Sequence, residues 1–232
     1  MKRKIVTFGS LVLGAAFAVG CGGSKTGQAP TIQEEWLARV PPGEMQQVEQ
    51  ARAAQRLAQD EAARAQVDQT DAENQLKVYE AELDAAKAQV DAAKKALDAA
   101  KETGRQENIS QAQRAHDDAM AAQKVAEQRV ALHKARVDAA KARKELADTR
   151  VETAKVRVEQ AEYFTLRQQG DTRVRDIDPV QFESALSQQR AKESEMESKL
   201  EGAEQKVTTA ERNLQQAEQQ LQARQQQQSP TG

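Results

Sequence analysis

The chain has 232 residues, of which 30% are charged and 3% aromatic, with a formal net charge of −2 and a single cysteine. So few aromatics among so many charges argue against a compact globular core and for long helices or coiled coil. One cysteine excludes an internal disulfide, and a mildly acidic balance makes a poor partner for nucleic acid, which calls for basic patches.

Met1-Lys2-Arg3-Lys4 is a short basic stretch, and an apolar run from Ile5 to Val19 follows it, with small residues before Cys21. A basic start, an apolar centre and a small-residue cleavage site describe a secretory signal over residues 1–20. The run is about 15 residues, shorter than the roughly 20 that span a bilayer. Ala18-Val19-Gly20-Cys21 resembles the lipobox of bacterial lipoprotein precursors, with Ala18 where that family usually has leucine. The resemblance implies cleavage before Cys21, a thioether diacylglycerol on its sulfur and an acyl chain on its new amino group. In a Gram-negative cell Gly22 then implies export to the outer membrane. Several acyl chains hold stably where a single one holds marginally. An ordinary cleaved signal would instead leave Cys21 as a free thiol.

Residues 21–43 are expected to form the lipidated cysteine and a linker. Gly22 to Pro30 is rich in small and breaker residues, as in a flexible spacer. Thr31-Ile32-Gln33-Glu34 has the form of a capping box, which predicts a short helix carrying Trp36 and Leu37 and ending at Val40-Pro41-Pro42-Gly43. Trp36, the one tryptophan, suits either an interfacial contact or a staple against the base of a bundle.

Residues 44–226 read as an antiparallel coiled-coil bundle, with residues 227–232 a disordered tail. The fold class is therefore all-α: three long helices at about 44–102, 109–166 and 179–226. In the first helix Val48, Ala51, Gln55, Ala58, Ala62, Ala65, Gln69, Ala72, Leu76, Tyr79, Leu83, Ala86, Val90, Ala93, Leu97 and Ala100 follow alternating steps of three and four. That is one heptad seam, mostly alanine, so helices approach closely while each residue buries little area. Gly104 suits a left-handed cap ending this helix, and Asn108 with Gln111 suits the cap of the next. The second helix has two stripes. One runs from Val130 through His133, Val137 and Ala140 to Ala161, the other from Leu132 through Ala139, Ala142 and Leu146 to Tyr163. Two seams predict two neighbours. Asp178 and Pro179 suit the start of the third helix, whose single seam runs from Phe182 through Leu200, Ala203 and Val207 to Leu221. Gly202 inside that helix is expected to cost about 1 kcal/mol relative to alanine.

Facing residues in a hairpin have numbers that total twice the turn's centre. Leu83 with Val130 and Leu76 with Val137 total 213, whose centre lies within Gly104–Asn108. Leu146 with Leu200 and Leu132 with Leu214 total 346, centred within the breaker Arg167–Pro179. The expected shape is a meander of rods, with the Arg167–Pro179 loop at the same end as Cys21 and Gly104 at the far end.

Candidate chemistry is sparse. His116 and His133 lie seventeen residues apart on one helix, about 25 Å, too far to share a metal. His133 is expected opposite Tyr79, either as a partly exposed seam residue or as a pH-sensitive core contact. Carboxylates interleave with Lys and Arg and read as solvated faces. No phosphate loop, nucleophile elbow or zinc motif is present. No catalytic residue, metal site, cofactor or small-molecule substrate is assigned, and the chain is read as a non-enzyme. The stretch from Ala161 to Leu186 loosely resembles the hairpin of periplasmic adaptor proteins of efflux pumps. Leu166 and Gly170 correspond there, but the tip serine and the lipoyl and β-barrel domains of that family have no counterpart. In plan the chain resembles murein lipoprotein. Its final Ser229-Pro230-Thr231-Gly232 lacks that family's terminal lysine, so any wall contact is expected to be noncovalent.

The expected function is a lipid-anchored, periplasm-facing scaffold of the cell envelope. The alternative is a coiled-coil interaction subunit of an envelope transport, secretion or assembly complex. Expected partners are the membrane, through the acyl chains on Cys21, other coiled-coil or envelope proteins, and a second copy.

Overall fold

The computed structural model describes residues 29–228; the signal region, Cys21, the start of the spacer and the last four residues lie outside them. Three helices dominate: α1 (Gln46–Thr103), α2 (Gln106–Gln168) and α3 (Val180–Gln228), with no strand among the described residues. At 1.5 Å per residue they measure about 87, 95 and 73 Å.

Every residue of the predicted α1 seam is buried or half-buried, as is every one named above in the two α2 stripes. The physical reason is the one the heptad supplies: a 3.5-residue repeat keeps one stripe facing one neighbour. α2 is the middle helix. α1 and α3 each pack along it and scarcely touch one another. Accordingly Val130, Leu132, Val137 and Leu146 of α2 are buried, whereas Leu76 and Leu83 of α1 and Leu200 and Leu214 of α3 remain half-exposed.

The register is the expected one. Tyr79 stacks on His133 with ring centroids 3.8 Å apart, and Lys134 and Lys141 of α2 pair with Glu80 and Glu73 of α1. Each of these pairs lies within one residue of the predicted α1–α2 alignment. On the other side, Ala139 and Ala142 pack with Ala203, flanked by Leu200 and Val207.

The ends differ in detail. Gly104 takes the left-handed conformation, with φ 68° and ψ 4°, and its N–H donates to the Lys101 carbonyl. One extended residue, Arg105, then suffices to restart the chain, so α2 begins at Gln106 and Asn108 lies inside its first turn rather than capping it. α2 ends in a Schellman turn that the sequence reading did not assign. Gly170 has φ 69°, its N–H reaches the Arg167 carbonyl, and the Asp171 N–H reaches back to Leu166. Asp178 does cap α3, its carboxylate accepting from the Val180 N–H at 3.0 Å.

The short helix expected to carry Trp36 and Leu37 is present as a 3₁₀ helix, Glu34–Arg39, that ends at Val40, with a second 3₁₀ turn at Pro42–Glu44. Its cap is a second correction, because Thr31 caps neither turn. The Ile32 N–H donates to the Glu159 carboxylate of α2. A tertiary partner has displaced the local one, because Ile32 and Leu37 are drawn into a core.

Candidate functional site

That core is the foot of the rod, where five stretches of chain converge. Ile32 and Leu37 come from the segment before α1, Val48 from the start of α1, Tyr163 and Leu166 from the end of α2, Val174 from the loop and Phe182 from the start of α3. Tyr163, Leu166, Val48, Val174 and Phe182 are almost wholly buried. Each buried side chain of this size contributes about 1.5–3 kcal/mol. Tyr163 sits at the centre, edge-on to Phe164 and tilted against Phe182, both at 5.2 Å. Its hydroxyl donates to the Ile177 carbonyl at 3.2 Å and accepts from Arg167 at 2.8 Å, so its polar atom is satisfied.

Polar bonds fasten the N-terminal segment to this core. The Arg52 guanidinium of α1 lies 2.8 Å from the Glu162 carboxylate of α2 and 3.4 Å from Glu34 in the first 3₁₀ turn. Burial pushes the Glu162 carboxyl up, against the pull of Arg52. Glu159 is likewise raised by burial, opposed by the Ile32 N–H and reinforced by the charge on Glu162. Arg173 forks onto Asp171, donates to the Trp36 carbonyl and lies 5.3 Å from the Trp36 ring centroid. The Arg173 side chain and backbone N–H together hold the Asp171 carboxyl down at about 2. Trp36 is thus a staple against the base, the second of its two expected roles. A cleft of about 510 Å³ opens beside Tyr163, Arg167, Arg175 and Asp176. Asp171 and Asp178, on its rim, are already engaged with backbone N–H groups.

The histidines stay apart. His133 is buried, not partly exposed, and it stacks on Tyr79 in the α1–α2 seam with its Nδ1 unpartnered. Burial lowers its pKa, the nearby Arg136 lowers it further, and Glu82 opposes both. His116 lies higher on α2, beside Asp117. Among the described residues no group of three or more His, Cys, Asp or Glu side chains is placed to hold a metal, and no helix is long and apolar enough to cross a membrane. Cys21, the one assigned modification site, lies outside the described residues.

The sequence reading missed one regular device. Arg129, Arg136, Arg143 and Arg150 of α2, seven residues apart, reach Glu218, Glu211, Glu204 and Glu197 of α3 at 3.2, 3.1, 2.7 and 3.5 Å. The signal was visible as one arginine per heptad of α2 matched by one glutamate per heptad of α3. Reading the charges as solvated faces hid it. Arg150 also reaches Glu61 of α1 at 2.8 Å, bridging both neighbours.

No protein-family model, no curated protein and no solved structure matches this chain.

Proposed function

We propose that the protein is a lipid-anchored scaffold of a bacterial envelope, held at its foot by acyl chains on Cys21 and projecting its rod from the membrane into the periplasm. The observation that supports this reading is the docking of the N-terminal segment. Ala29 packs against the foot core, and it follows Cys21 by eight residues, a span of at most about 29 Å. An anchor on Cys21 therefore acts on the end of the rod where the core is densest. The opposite end, at Gly104, stands some 90 Å away along the helices. Gly22 in place of aspartate supports the outer membrane as destination.

Metabolic labelling with an alkyne fatty acid, followed by fractionation, tests the anchor. The wild-type chain takes up label and sediments with outer membranes, and Cys21→Ala abolishes both. A wild-type chain that carries no lipid and stays in the soluble periplasmic fraction overturns the reading.

The second reading is an interaction subunit of a larger envelope complex. The exposed Leu57, Val67 and Val78 of α1 favour it, because they leave apolar surface for another helix. Crosslinking in cells followed by purification separates the two, since a stoichiometric partner supports the second.

A further inference from the structure

The seam between α1 and α2 holds two buried polar atoms that nothing satisfies. Among the described residues, the Nδ1 atoms of His116 and His133 are the buried side-chain nitrogens and oxygens without a hydrogen-bond partner. Both rings belong to the α2 stripe that faces α1, His133 three residues after Val130 and His116 fourteen before it. Along the shaft that stripe is all that holds α1, because α3 scarcely touches it.

A neutral imidazole can leave one nitrogen bare, whereas imidazolium carries a proton on both. On His133, 5% exposed, the charged ring would have an N–H at Nδ1 with no acceptor and a charge with little water around it. The groups at this level do not compensate. From α1 come Tyr79, stacked at 3.8 Å, Glu80, held by Lys134 at 3.9 Å, and Glu82, whose charge favours the protonated ring. α2 itself adds Arg136, a like charge, bound at 3.1 Å to Glu211 of α3. Stacking a cation on Tyr79 offsets part of the cost, but withdrawing a whole charge from water is the larger effect. His116 is placed differently. The Asp117 carboxylate lies 3.8 Å from its Nδ1, so a proton there meets an opposite charge.

We propose that His133 is an acid-operated release in the α1–α2 seam. Its protonation breaks the Tyr79 stack, the middle of α1 parts from α2 between the foot and the Gly104 turn, and the covered Val130 and Val137 are exposed. The foot stays closed. Burial raises the Glu159 and Glu162 carboxyls there, so the folded foot takes up protons at least as readily as the unfolded chain and acid does not loosen it. The α2–α3 seam also stays closed, since Ala139, Ala142 and Ala203 pack on the other stripe of α2. Because burial keeps the enclosed ring neutral, the open form takes the proton first, and opening is favoured as pH falls below about 6.5. Between pH 7.5 and 5.5 one such group raises the opening constant by at most about tenfold. The inference stands whether or not Cys21 is acylated.

The test is hydrogen exchange read by mass spectrometry on the chain from residue 22 onward, at pH 7.5 and 5.5, with rates corrected for the intrinsic pH dependence of exchange. Once released, a stretch of α1 has no packing partner and its backbone bonds open readily. Peptides spanning residues 72–86 are therefore expected to show an opening constant about tenfold higher at the lower pH, while peptides from the foot and from residues 198–210 of α3 stay unchanged. His133→Phe, which keeps a ring on Tyr79 and does not titrate, removes the rise, and His116→Phe retains it. A proton NMR titration of the wild type needs no variant: the His133 ring takes up its proton over the range in which residues 72–86 lose protection. Equal protection of residues 72–86 at both pH values, a rise that persists in His133→Phe, an equal rise at the foot, or a His133 ring that protonates while those residues stay protected overturns the proposal.

Discussion

The foot and the shaft of this rod are held by different means. At the foot, aromatic and branched side chains from five stretches of chain interlock around Tyr163 and Phe182, with buried polar groups satisfied across long sequence distances. Along the shaft, alanines and half-buried leucines meet in heptad register while arginine–glutamate rungs lie along the outside. The foot depends on a few large contacts, each hard to replace. The shaft depends on many small ones, each nearly dispensable, whose common requirement is that the helices come close. Stability concentrated at one end suits the anchored projection proposed above, in which the foot is the end that must not open.

Substitutions sharpen this contrast, beginning with the largest effect. Phe182→Ala empties the foot core and is expected to cost about 3–5 kcal/mol in chemical denaturation. A loss under about 1 kcal/mol would show that the foot is not the stronger region. Ala139→Leu in the shaft forces α2 and α3 apart and should cost about 1–3 kcal/mol, although it adds apolar area. An unchanged or higher melting temperature would mean that the alanine seam is not closely packed.

His133 gives the shaft a pH dependence of its own. Its folded pKa is depressed, chiefly by burial, so the unfolded chain takes up the proton first as pH falls below about 6.5. The stability that neutral His133 contributes is therefore full above that value and is lost as pH falls through its lowered pKa. Thermal melts at pH 7.5 and 5.5 should converge in His133→Phe relative to wild type, since phenylalanine keeps the stack on Tyr79 and does not titrate.

Smaller effects follow. A Cβ added at Gly202 meets nothing within 4 Å, so Gly202→Ala should raise stability by about 0.4–1 kcal/mol. Single rungs contribute least. Arg143→Ala should cost no more than about 1 kcal/mol, because both partners are about half exposed and screened by solvent. The loss should shrink further in 1 M salt. A loss of several kcal/mol would make the rungs, rather than the alanine seam, the main bond of the shaft.

Much of the shaft was legible in the residues. Alternating steps of three and four located the seams, and the two stripes on α2 identified the central helix. Facing pairs such as Tyr79 and His133 emerged from the register alone. Gly104 and Asp178 were read correctly because each acts through its own backbone or side chain. Thr31 and Asn108 were misread by the same local logic. The first lost its role when the Ile32 N–H found Glu159, and the second when Gly104 and Arg105 completed the reversal earlier.

The sequence by itself determined the three helices, their order and their alignment, because a heptad repeat is a local signal that survives translation along the whole length. Only the tertiary structure decided that α1 and α3 stand apart across α2, that the N-terminal segment folds onto the foot, and that Arg150 bridges both neighbours. Those outcomes turn on which side chains from distant stretches reach one another in space, and neither spacing nor composition records that.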